Sequence, residues 1–160
     1  MALERIKRTR KGQFLVRLTT SERETMREVP SMLRALLTRG DAADPALQRL
    51  FPPAYVDDPE GAAEFERMVR GDLVAQRLAA IDTMERTIEA DRLSEDEIVA
   101  WLAAINDLRL VLGVRLGVTE QSGAEDFEGD QERTRTYAVY AYLSWLEDDV
   151  VRAVSGISLG

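Results

Sequence analysis

The sequence predicts a mainly α fold, a helical bundle of about four to five helices with a small N-terminal β-hairpin. Two capping boxes, each followed by apolar residues at three- and four-residue spacing, mark helix starts. The stripe Ile98, Trp101, Leu102, Ile105, Leu108, Leu112 and Leu116 is the strongest helical signal, and a short alternating run near the N-terminus is the only strand signal. At 160 residues and 45% hydrophobic, the chain is long enough for one domain that buries roughly 70% of its unfolded surface. We therefore expect a single domain over residues 1–160: a basic hairpin (1–18), a helical core (19–117), an acidic loop (118–130) and a C-terminal helix (131–155).

In order, Leu3 to Arg8 and Gln13 to Leu18 are the extended segments, with Phe14, Val16 and Leu18 alternating against Gln13, Leu15 and Arg17. Thr19-Thr20-Ser21-Glu22 opens a helix bearing Met26, Val29, Leu33, Leu36 and Leu37. Pro30 lacks a backbone donor, which predicts a kink or two shorter helices near Val29. Asp44-Pro45 and Asp58-Pro59 each place a cap residue before a proline suited to a first helical turn. Between them Leu47, Leu50, Phe51 and Tyr55 are expected to anchor an ordered loop. The run to about Ala90 carries Phe65, Met68, Val69 and Leu73 as one apolar face, then Val74, Leu78, Ile81, Met84 and Ile88, with Gly71 as a candidate bend or close contact. Ser94-Glu95-Asp96-Glu97 caps the next helix, Gly117 ends it, and the Gly- and acid-rich segment Val118 to Asp130 reads as a mobile loop. The last helix is apolar over much of its girth, as expected of a central or subunit-sharing helix.

Composition excludes a good deal of chemistry. With no Cys and no His, thiolate nucleophiles, disulfides, Cys or His zinc sites and Ser-His-Asp catalysis are impossible. No P-loop or dinucleotide fingerprint is present, no apolar run reaches membrane-spanning length, and the N-terminus does not resemble a secretion signal. A cytoplasmic protein without cofactor, catalytic residues or bound metal is the expectation. The net charge of −8 is uneven, because residues 1–18 carry six cations against Glu4, a net +5, leaving −13 for the rest. Arg8, Arg10 and Lys11 are thus candidates for contact with nucleic acid or an acidic partner. Tyr140, Tyr142 and Trp145 are candidates for a homodimer interface. Asp72, Asn106, Asp107 and Arg109, polar residues on otherwise apolar helices, form a candidate structural cluster, with Asp72 and Arg77 as possible partners for the charges on the later helix.

The segments DPALQRLFPPAY (44–55), AAEFERM (62–68), NDLRLVLGVRLG (106–117) and YAVYAYLSWL (137–146) together resemble the actinobacterial domain-of-unknown-function family DUF2017 over nearly the whole chain. That resemblance implies a cytoplasmic actinobacterial protein, often encoded near a Clp protease adaptor and a deubiquitinase-like metallopeptidase, with no catalytic residues assigned. The leading expectation is a regulatory or adaptor protein acting by protein–protein contacts in stress response or proteostasis. A nucleic-acid-binding regulator using the basic hairpin is the alternative, and a carboxylate-based divalent-metal enzyme a weaker one.

Overall fold

The computed structural model describes residues 4–52 and 59–156. It is mainly helical with a small sheet, in the order β1 (Ile6–Arg8), β2 (Phe14–Val16), α1 (Thr20–Glu28), α2 (Pro30–Arg39), α3 (Pro45–Leu50), α4 (Pro59–Arg86), β3 (Arg92–Leu93), α5 (Glu95–Leu116), a 3-10 turn at Ala124–Phe127, and α6 (Gln131–Ser155). Tyr55 and Asp58 lie outside the described residues, as does the side chain of Phe65.

Local chemistry sets most boundaries. Thr19 and Ser94 each accept a hydrogen bond from a backbone N–H three residues on, and the Glu22 and Glu97 carboxylates each accept one from the cap residue's own N–H, so both capping boxes form. Pro30 splits the first helical run as its missing donor requires: α1 ends at Glu28 and α2 begins at Pro30. Asp44 caps α3 by accepting from the Ala46 N–H. Gly117 closes α5 at φ +67°, a left-handed conformation that favours glycine.

The hairpin forms, but it is two-thirds of a sheet. β1 pairs antiparallel with β2, and β2 pairs with β3 on its other side, aligning Lys7 with Leu15 and Leu15 with Arg92. Strand β3 has no sequence signal because two residues between a helix end and a cap are too few to alternate. The inner face of the sheet, Ile6, Phe14, Val16 and Leu93, is buried against a core that includes Trp101, Ile105, Leu108, Leu143 and Leu146. Within that core the Trp101 Nε1–H donates to the Thr87 hydroxyl at 2.7 Å, which donates to the Thr83 carbonyl at 2.7 Å. Helix α6 packs along α5, which accounts for its broad apolar surface.

Three expectations change. The apolar face assigned to the start of the long helix is not core: Met68 is 72% exposed, and Val69 and Leu73 are 37% exposed. At 28 residues α4 is about 42 Å long and outruns α2, so among its described residues the first fully buried side chain is Ile81. Gly71 makes no close contact, since a Cβ there would meet nothing within 4 Å, and α4 runs through it without a break. The acidic segment is also more structured than expected. Phe127 is buried and stacks on Tyr137 at 5.0 Å, the Thr134 hydroxyl donates to the Phe127 carbonyl at 2.7 Å, and Gly123 N–H donates to Asp126. One aromatic anchor ties the loop to the start of α6 while its acids stay in solvent.

Candidate functional site

The sheet has one sealed edge and one charged face. Along the outer edge of β1, the Asp149 carboxylate of α6 accepts from the backbone N–H of Arg5 at 2.9 Å and of Ile6 at 2.8 Å. Arg152, one turn further on, pairs with Asp149 at 2.5 Å and donates to the Ile6 carbonyl at 3.1 Å. Both edge groups of Ile6 are thereby satisfied by α6, which removes a template for unwanted strand pairing. Asp149 is 9% exposed. Neither residue stood out in the sequence, where an acid followed three residues later by an arginine reads as an ordinary helix-surface pair.

On the solvent face, register puts Lys7, Leu15 and Arg92 in one row across the three strands, about 10 Å from end to end. Arg17 is exposed two residues from Leu15, and Arg10 and Lys11 are exposed in the connecting turn. Lys7, Arg10, Lys11, Arg17 and Arg92 make no ion pair among the described residues, whereas eight arginines elsewhere in those residues are salt-bridged. Of the three cations singled out from sequence, Arg10 and Lys11 are exposed in the turn at the end of this sheet. Arg8 lies in β1 instead: it pairs in register with Phe14, its guanidinium lies 5.9 Å from that ring, and its Nη1 lies 3.4 Å from where a Cβ on Gly156 would be. There it meets the negative end of α6, where a cation is favourable.

The aromatic candidates are engaged within the chain. Tyr140 packs over Gly113, whose hypothetical Cβ would be 3.3 Å from the ring, Trp145 lies under the Arg5 guanidinium at 5.5 Å, and Tyr142 borders α1. An open cavity of about 260 Å³ between α1 and α6 is lined by Ser21, Glu22, Thr25, Arg135, Ala138, Val139 and Tyr142. Burial raises Glu22, but the Thr19 N–H, the Tyr142 and Thr19 hydroxyls and Arg5 together hold its pKa below the ordinary value. Its carboxylate is committed to Thr19 N at 2.9 Å and Arg5 Nε at 2.9 Å. The Tyr142 hydroxyl is screened from solvent beside Glu22 without an acceptor at full hydrogen-bond geometry. Burial first, then that carboxylate, raises its pKa.

The four polar helix residues do not converge. Asp107 is 3% exposed and pairs with Arg77 of α4, whose other nitrogen donates to the Leu50 carbonyl at 3.2 Å. Burial raises the Asp107 pKa and Arg77 only partly offsets this. Arg109 turns to α6 and pairs with Glu147 at 2.9 Å. Asn106 is half-buried, and Asp72 is exposed with no ion pair to either. Asp107 and Arg109 are two apart on one helix, hence about 200° around its axis, and so bind opposite neighbours. Among the described residues no three acids gather as a metal site, and no helix is long and apolar enough to cross a membrane.

Comparison with known proteins gives a consistent lineage. The oxidative stress regulator AosR of Mycobacterium bovis and that of Mycobacterium tuberculosis are each 33% identical to this chain over 130 residues, covering 71% of this chain and 59% of the relative. The putative oxidative stress regulator AosR of Mycobacterium leprae is 30% identical over 128 residues, covering 69% and 58%. The chain therefore spans less than two thirds of the length of the curated relatives it matches. No solved structure matches. The family model described as a domain of unknown function, DUF2017, matches residues 4–154, and on that extent the chain belongs to the DUF2017 family.

Proposed function

We propose that this chain is a cytoplasmic regulatory or adaptor protein that works in a stress response by contact with other proteins, not by catalysis. The observation that carries this reading is a cluster of cations at one end of the fold: Lys7 and Arg92 flank Leu15 on the outer face of the sheet, Arg17 is exposed beside them and Arg10 and Lys11 lie in its turn, and none of the five makes an ion pair among the described residues. The names of the mycobacterial relatives supply the stress context. An acidic protein surface that sets an apolar side chain over half-buried Leu15 suits this face. Nucleic acid is the second reading, favoured by Arg10 and Lys11 at the turn. It is the poorer fit because the face offers no aromatic ring for base stacking, and the rest of the chain, at −13, repels an extended polyanion. Self-association into a homodimer belongs to the same proposal and is checked by light scattering.

Deleting the gene in the source organism and challenging the strain with oxidant tests the regulatory role; survival and transcript profiles equal to wild type would reject it. Affinity capture from stressed cells tests the surface. The triple variant Lys7→Ala, Arg17→Ala, Arg92→Ala should weaken recovery of partners about tenfold, while Arg39→Ala, Arg49→Ala, Arg86→Ala, with the same change in net charge at other exposed sites, should not. Salt-sensitive binding to labelled duplex or single-stranded DNA, abolished by the first triple, would transfer the assignment to nucleic acid.

A further inference from the structure

The chain has no cysteine, so any oxidant it senses directly must be read by another side chain. Methionine is the next sulfur on the oxidation ladder, and its susceptibility follows exposure. The described methionines divide sharply. Met26 and Met84 are 0% exposed and Met32 packs against the core, whereas Met68 is 72% exposed on the overhanging part of α4. Its neighbours on that stretch, Val69 and Leu73, are also exposed, and no side chain stands near Gly71. Thus, among the described residues, the most accessible thioether sits in an exposed apolar patch where a change of polarity would be felt at the surface and not in the core.

We propose that Met68 is a reversible oxidation site through which this protein registers two-electron oxidants of the peroxide class. The sulfur lone pair attacks one peroxide oxygen, the O–O bond breaks, and sulfur gives up two electrons to form the S=O bond. The other oxygen takes up the proton and leaves as water. The product is a polar, chiral sulfoxide with a strong acceptor in place of a flexible apolar tip, and a methionine sulfoxide reductase with a thiol reductant reverses it. Val69 and Leu73 would then flank a polar group, so contacts made by this stretch of α4 weaken while the buried core stays reduced and folded. The inference rests on the stress-response reading and adds the group that responds.

The test is peptide mapping of the full chain after graded hydrogen peroxide. Met68 sulfoxide should accumulate at least about tenfold faster than sulfoxide at Met26, Met32 or Met84, and the helical circular dichroism should be unchanged. Comparable rates at all four residues, or loss of helicity in step with oxidation, would overturn the proposal. The second arm replaces the native gene with Met68→Leu, which keeps the apolar shape and cannot be oxidised. The variant strain should lose the oxidant-induced transcript change while growing normally unstressed. If the deletion strain has a defect and the Met68→Leu strain behaves as wild type, the regulatory reading stands and the Met68 proposal falls. If the deletion strain has no defect, the reading beneath it fails first.

Discussion

Asp149 carries more of the fold than any sequence signal suggests. Its carboxylate satisfies two backbone donors of β1 and pairs with Arg152 in a nearly closed environment. Asp149→Ala leaves both N–H groups and a half-buried guanidinium without that acceptor, and it should lower the urea-unfolding free energy by about 2–4 kcal/mol. Asp149→Asn, which still offers a carbonyl oxygen, should lose less. Glu22 gives a pH signature. Its folded pKa lies below the ordinary 4.5, so its stabilisation is complete above that value and is lost as pH falls through the lowered folded value. Glu22→Gln keeps the capping-box acceptor but does not titrate. Wild type should therefore melt above the variant near neutrality, and the gap should close as pH falls below 4.5 and through the lowered folded value; a gap independent of pH would refute this. Asp107 acts in the opposite sense. Its pKa is raised above 3.8 by burial, so its contribution declines as pH rises through the window between 3.8 and the raised value. Asn106, Asp107 and Arg109 were legible as polar interruptions of an apolar helix and Arg77 as a possible partner, but the direction each side chain faces was not, because that depends on which helix packs on which side.

At the scale of elements, the legible features are those with strictly local causes. Thr19 and Ser94 cap because a hydroxyl and a glutamate three residues on meet the same two backbone donors in any context, and Pro30 breaks a helix in any context. What failed were inferences about packing. The apolar run Met68, Val69 and Leu73 has the spacing of a core face, yet whether such a face is covered depends on the reach of α2 and α5, which no window of α4 encodes. Strand β3 exists only because β2 offers it a partner. Gly71 makes a clean test, lying inside a continuous helix with empty space where its side chain would be. Gly71→Ala should therefore raise stability by about 0.5–1 kcal/mol through helix propensity and reduced freedom of the unfolded chain, read as an increase in urea midpoint at unchanged slope. A loss of stability would mean that something covers this part of α4 in solution.

For the molecule as a whole, charge asymmetry was visible as arithmetic, but the face that displays it required the register Lys7, Leu15, Arg92, in which the third member comes from between α4 and α5. That same register decides whether the basic N-terminus is an appended arm or part of the body. Three links argue for the body: Ile6 is 0% exposed, Asp149 and Arg152 tie β1 to α6, and Val16 N–H donates to the Asp91 carbonyl at 2.8 Å beside β3. Removing residues 1–8 deletes a fully buried isoleucine, worth about 1.5–3 kcal/mol, and strips two donors from a nearly buried carboxylate, which adds to the loss. The truncated chain should be less stable by more than about 3 kcal/mol, and far-ultraviolet dichroism and tryptophan fluorescence should report one shared transition at a lower temperature. An appended arm would behave differently, leaving the helical transition where it is in the full chain. In that case Lys7, Arg10, Lys11 and Arg17 would sit on a detachable element with Arg92 left on the body, and partner capture by the residual helical body would become the measurement that locates the contact surface.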